Sequence, residues 1–342
     1  MNKKKTTIIC ILVLAIAILI VGCSQSNGNK DAQKTKTDSN SLRFATLSMG
    51  SSWYSYGATI ADIIKKAIPS IQKVDVLPNS GGVGNIKLLE QGKAEIALGF
   101  GNINKWAVDG TAAFQDKKVL GLQGLVGSLD EYYIGIVASE KSGIASLRQV
   151  AEKKIPIKLM TVERGSAGEY ANRQVLAAHG ITYEDIKKWG GSVEHTDFNS
   201  IVNAFKDGKA DMFMQVISKG HPAVSELSVS GNIKFVALDE AALSQMAKFG
   251  YISTHIPANS FKGQTADVNT AGLASCLMTT DKMSNDLAYK ITKAVYENPT
   301  ALAKGHQALM DFKPKLAADT SVMGLPIHPG AAKYYKEIGL IK

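Results

Sequence analysis

The feature that most constrains this chain is a repeated order of short apolar strand, small-residue loop and amphipathic helix. Residues 42–47 read as a strand, 48–52 as a loop, and 53–68 as a helix with Ile60, Ile63, Ile64 and Ala67 on one face. The order returns as strand 74–77, loop 78–82 and a helix carrying Ile86, Leu88 and Leu89. It returns again as strand 96–100, Gly101-Asn102 and a further helix. Such an alternation predicts an open, mostly parallel α/β sheet.

The same grammar restarts downstream. Residues 132–138 read as a strand, 146–154 as a helix, 157–162 as a strand, 163–167 as a loop and 168–178 as a helix, with strands at 211–214 and 234–238. A strand-like run, 271–279, a helix, 285–296, and a mostly helical end complete the chain. The expected organisation is a first lobe over 42–138, a second over 139–238, and a return to the first lobe over 239–342. Ligands of open α/β sheets bind beyond the carboxyl ends of the strands. Two such edges facing each other make a cleft, with hinge closure as the expected motion; two rigidly joined lobes are the alternative.

The N-terminus predicts export. Lys3, Lys4 and Lys5 precede an uncharged apolar run from Ile8 to Val21, then Gly22 and Cys23, the layout of a secretory leader over residues 1–22. Ile20-Val21-Gly22-Cys23 resembles the lipobox of bacterial lipoproteins, which makes Cys23 the lipidation site; an uncleaved anchor with an incidental Cys23 is the alternative. Residues 23–41 are polar and aperiodic and read as a disordered tether with a reach of roughly 25 Å. The domain is therefore expected outside the membrane, lipid-anchored to the cell. Losing the three leader lysines lowers the formal charge from +9 to about +6, which suits an anionic membrane face or an anionic solute. No basic run with interleaved aromatics argues for nucleic acid. Besides Cys10 and Cys23 the chain has one cysteine, Cys276, in an apolar run, so no internal disulfide forms and Cys276 reads as a core residue.

Glycine and serine between a strand and a helix let backbone N–H groups at the helix start approach an anion. Four places have this form: Gly50-Ser51-Ser52, Asn79-Ser80-Gly81-Gly82, Gly101-Asn102 and Gly165-Ser166-Ala167-Gly168. Trp53, Tyr54 and Tyr56 are candidate pocket walls, with Tyr54 favoured as a contact and Tyr56 assigned to packing. Arg164 can hold a carboxylate bidentately or pair at the surface with Glu163 or Glu169.

These segments resemble the TAXI-type solute receptors of TRAP (tripartite ATP-independent periplasmic) transporters. The resemblance rests on Gly50-Ser51-Ser52-Trp53-Tyr54-Ser55-Tyr56-Gly57, Asn79-Ser80-Gly81-Gly82-Val83-Gly84-Asn85-Ile86, Ala210-Asp211-Met212-Phe213 and Gly220-His221-Pro222. Its most specific piece is Pro326-Ile327-His328-Pro329-Gly330-Ala331 with Tyr334-Tyr335. The resemblance implies a two-lobed, type II-like periplasmic-binding-protein fold with the ligand cleft between lobes. It also implies no catalysis and no cofactor, a monomer, and delivery of a carboxylate or an amino acid such as glutamate to a TRAP membrane permease. The site residues it implies are Ser51, Ser52, Trp53, Tyr54, Asn79, Ser80 and Gly81 from the first lobe, with Ser166 and Gln215 from the second.

Two departures shift the expected ligand. Phe100-Gly101-Asn102 stands where the family often has Gln-Ser-Asp, which makes Phe100 and Asn102 candidate contacts. Gly168 stands where it has Thr. Both changes point to a less polar or aromatic-bearing acid. The six histidines show no metal spacing, and His221 and His328, each before a proline, read as turn residues. Gly-x-Ser-x-Gly and P-loop motifs are absent. A receptor for an ATP-driven importer, a ligand-sensing lipoprotein and an extracellular enzyme on the same scaffold are the alternatives.

Overall fold

β1 (Ser41–Ala45) leads into α1 (Ser52–Ala67), β2 (Lys73–Leu77) into α2 (Gly82–Glu90), and β3 (Ile96–Phe100) into α3 (Gly101–Asp109). The computed structural model that shows this describes residues 40–230 and 232–342, within one unit spanning 36–342. The expected leader, Cys23 and the expected tether as far as residue 39 lie outside the described residues, while Ser41, the tether's expected last residue, opens β1. α1 buries Trp53, Tyr56, Ile60, Ile63 and Ile64 and ends on Lys65 and Lys66, whose charges suit the carbonyl end of a helix. β1 pairs in parallel with β2 and β3.

After β4 (Leu122–Val126), β5 (Glu131–Ser139) carries the chain into the second lobe. There follow α4 (Leu147–Lys153), β6 (Lys158–Thr161), α5 (Ala167–Ala178), α6 (Tyr183–Lys188), β7 (Ser192–His195) and α7 (Phe198–Lys206). Next come β8 (Met212–Ser218), α8 (Pro222–Ser230), β9 (Ile233–Phe235), α9 (Glu240–Ala247) and β10 (Ile252–Ile256). β11 (Val268–Thr280) returns to the first lobe, later than the expected residue 239, because α9 packs on α5 and β10 pairs with the first half of β11. It leads to α10 (Asn285–Tyr296), α11 (Pro299–Gly305), α12 (Thr320–Met323) and α13 (Pro329–Glu337).

One hydrogen-bonded path, β2-β1-β3-β11-β5-β8-β6-β7, runs through both lobes. β11 makes the join. Its first half pairs with β10 and with Glu131–Tyr133 of β5, and from Ser275 onward it pairs with β3 and β4. The sequence predicts a mostly parallel sheet, but the parallel pairs are confined to β1–β2, β1–β3, β6–β7 and β6–β8. β11 enters the first lobe from the edge where β3 ends, so it runs opposite to β3; Ser275 faces Phe100 and Met278 faces Ala97.

The C-terminal segment clamps the first lobe. His328 caps α13 by accepting from the Gly330 N–H at 3.1 Å, and the Tyr335 hydroxyl donates to the Leu125 carbonyl at 2.7 Å. The Pro326–Tyr335 stretch is therefore a packing device. Among the described residues no helix is long and apolar enough to cross a membrane.

Candidate functional site

Four helices begin at one place. Trp53 stands in the first turn of α1, Ser80, Gly81 and Gly82 open α2, Phe100 immediately precedes α3, and Ser166, Ala167 and Gly168 open α5. Together with Leu47, Tyr132, Gln215 and Val216 these residues enclose a cavity between the lobes. A helix start leaves N–H groups without intrahelical partners and carries partial positive charge. Ser51 Oγ takes up the Tyr54 N–H in α1, and Ser166 Oγ takes up the Glu169 N–H in α5. α2 and α3 have no side-chain cap. Gly81 meets the turn into α2 at φ +66°, a conformation that favours glycine.

Aromatic rings form one wall. Trp53 and Phe100 stack with centroids 4.4 Å apart, and Tyr132 stands edge-on to both, at 6.0 and 5.0 Å. Trp53 is 2% exposed, and its Nε1 has no acceptor among the described residues. The opposite wall is Gln215, 1% exposed on β8. Its Oε1 accepts from the Val216 N–H at 2.7 Å, which fixes the carboxamide and leaves Nε2 as the free donor.

The lobes touch around this cavity. A Cβ on Gly82 would lie 2.8 Å from the Ala167 nitrogen, and one on Gly50 would lie 3.3 Å from Phe198 Cβ. The Ser218 hydroxyl donates to Ser52 Oγ at 2.7 Å. The Phe249 carbonyl, in the turn after α9, accepts from Trp106 Nε1 at 3.2 Å and from Asn102 Nδ2 at 3.4 Å, both on α3. The space left is about 20 Å³, room for about one water. That space is too small for an organic solute.

Of the residues expected at the site, Trp53, Ser80, Gly81, Phe100, Ser166 and Gln215 line the cavity. The others lie outside its lining. Ser51 is spent on capping α1, and Ser52 is buried against Ser218. Tyr54 is half-buried, about 100° around α1 from Trp53. Asn79 Nδ2 donates to Asn85 Oδ1 at 3.2 Å, and Asn85 in turn ties α2 to the carbonyls of Ala45 and Leu98. Asn102 reaches Phe249. Arg164 is exposed, and Glu169 pairs at 2.9 Å with Arg173. Gly82, Ala167 and Gly168, from two of the expected small-residue loops, also line the cavity, and so do Leu47, Tyr132 and Val216, which were not singled out; Tyr132 lies in an apolar strand that reads only as core. Cys276 is buried, with burial pushing its thiol up to about 12, which suits a packing residue.

Behind Tyr132 sits a buried acid that sequence reasoning missed. Asp130 is 1% exposed and accepts hydrogen bonds from the Tyr56 hydroxyl and the Ser275 hydroxyl. Its backbone also joins the crossing strands, since the Ser275 N–H reaches the Asp130 carbonyl at 3.3 Å and the Leu129 N–H reaches the Ser275 carbonyl at 3.0 Å. Burial drives the carboxyl up to about 7, against the lowering effect of the two hydroxyl donors. An acid opening an apolar strand carries no mark in the sequence that distinguishes it from a surface residue.

The chain is similar in structure to the periplasmic binding protein BugD, with 13% identity over 88% of this chain and 98% of that one, at a TM-score of 0.51. The alkanesulfonate-binding protein SsuA from Xanthomonas axonopodis pv. citri bound to MOPS is 14% identical over 88% of this chain and 84% of that one, at a TM-score of 0.48. The architecture is the two-lobed α/β fold of periplasmic binding proteins. The sequence profile of the NMT1-like family matches residues 44–339, nearly the whole of the described part, and the chain belongs to that family.

Proposed function

We propose that this protein is an extracytoplasmic solute receptor of the TAXI type, which closes its lobes over a small organic anion and hands it to a TRAP membrane permease. The observation that carries the reading is the convergence of four helix starts, three from the first lobe and one from the second, on a cavity whose lining holds no charged side chain. Such an arrangement favours negative charge held by N–H groups and dipoles. The aromatic wall favours a solute with an apolar body. The lining offers no nucleophile beside a base, so the reading is capture without catalysis. Cys23 is the proposed lipid anchor that keeps the receptor beside its membrane partner.

The test is thermal unfolding of residues 40–342 with a panel of carboxylic acids, dicarboxylic acids and amino acids. A bound solute at 100 times its Kd stabilises the folded state by about 2.7 kcal/mol. Absence of a shift across the panel rejects a small-acid receptor. Mass spectrometry of the molecule retained after purification identifies the solute directly.

A further inference from the structure

The polar side chains facing the cavity are unequal in what they offer. Gln215 Oε1 is occupied by the Val216 N–H, so the amide presents Nε2, which has no acceptor among the described residues. Trp53 Nε1 is buried and likewise without an acceptor, and an indole nitrogen only donates. Ser166 Oγ already accepts from the Glu169 N–H, which leaves its O–H to donate. The starts of α2 and α5 add backbone N–H groups. Among the lining side chains only two hydroxyls, those of Ser80 and Tyr132, are free to accept as well as donate, and neither carries negative charge.

An α-amino acid brings an ammonium with three donors and no acceptor, and enclosing it requires carboxylate or carbonyl partners. The acids in this region are engaged elsewhere or set back. Asp130 takes two hydroxyl donors behind Tyr132, and Glu169 pairs with Arg173. Glu163, in the loop ahead of Ser166, does not line the cavity, although its Oε2 is buried without a donor. Resting on the receptor reading above, we infer that the cleft takes organic acids lacking an amino group and rejects the corresponding amino acids. The carboxylate is met by the helix starts and Gln215 Nε2, and the body of the solute replaces the contact between Trp53 and Phe100.

The experiment measures binding of residues 40–342, by calorimetry and thermal shift, to acids that differ only by the amino group. The pairs are glutarate against L-glutamate, 3-phenylpropanoate against L-phenylalanine, and 4-methylpentanoate against L-leucine. In each pair that binds, the amino-free acid is expected to bind at least about tenfold more tightly, a difference of about 1.4 kcal/mol. Gln215→Leu should weaken the acid by about the same factor, with circular dichroism to establish that it folds. Glu163→Gln should leave the preference unchanged. An amino acid that binds as tightly as its amino-free partner overturns the inference while leaving a solute receptor standing, and loss of that binding in Glu163→Gln would name the ammonium's partner. If none of the six compounds binds, the receptor reading falls and the inference falls with it.

Discussion

Gly168 and Gln215 share one space: a Cβ on residue 168 would lie 1.3 Å from Gln215 Oε1. The glycine that stands where the resembled family has threonine is thus the condition for a carboxamide to lie over the start of α5. The hydroxyl lost at 168 is exchanged for an amide donor arriving from β8.

Gly168→Ala should therefore strain the buried wall, costing about 1–3 kcal/mol as overpacking does. Urea denaturation reads this. Adding Gln215→Ala should recover most of the loss, because the two residues couple directly; a double variant whose loss is the sum of the single ones would refute the shared space.

Asp130 makes stability depend on pH with a definite sign. Its folded value, about 7, lies above the ordinary carboxyl value of 3.8, so the folded state holds a proton that the unfolded chain releases. The contribution is complete below about pH 4 and is lost as pH rises to 7, at roughly 1.4 kcal/mol per pH unit. His221 and His306 act oppositely: burial lowers them to about 3 and about 4, so they raise stability as pH climbs towards 6.5. The informative quantity is therefore wild type minus Asp130→Asn, followed by denaturation from pH 5 to 8. That difference should fall with rising pH, and a flat line would show that Asp130 is ionised when folded.

Trp106 and Phe249 tie α3 to the turn after α9. Trp106→Phe keeps a ring against Phe249 and Tyr251 and deletes the Nε1 donor, at a cost of about 0.5–1.5 kcal/mol. Because the bond spans the lobes, small-angle scattering of the solute-free variant should show a larger radius of gyration than wild type. Unchanged scattering with lowered stability would confine the bond to local packing.

Cys276 should be silent to thiol reagents in the folded domain and react only on unfolding, since it is 1% exposed and Asn104 Nδ2 donates to its sulfur at 3.2 Å. Rapid labelling of native residues 40–342 would contradict the packing described.

Cys23→Ser in the full chain should release the protein from membranes on fractionation. A variant that still sediments with membranes would remove the lipid anchor.

Much of this architecture was legible in the sequence, and the exceptions have physical causes. Ile96–Phe100 and Asn285–Tyr296 occupy the expected positions, because a fully apolar run and a strongly one-sided helix behind the Ser284 cap leave little choice. β10 escaped notice because four of its five residues are not buried, which erases the alternation that marks a strand. At the site, the small-residue loops announced where helices start but not which side chain of each turns inward. Tyr54 reads as the better contact on chemistry, yet the 3.6-residue period directs Trp53 and Tyr56 inward and leaves Tyr54 aside. Arg164 attracted attention by its charge, and charge is what keeps such a side chain in water.

The neutrality of the cavity wall has a consequence for life outside a cell, where salinity fluctuates. Under the proposed receptor reading, a guest held through buried dipoles forms no ion pair for dissolved salt to compete with, so its residence time should be nearly indifferent to brine. Only the diffusive approach, guided by the cationic exterior, would slow as the surrounding water grows saltier.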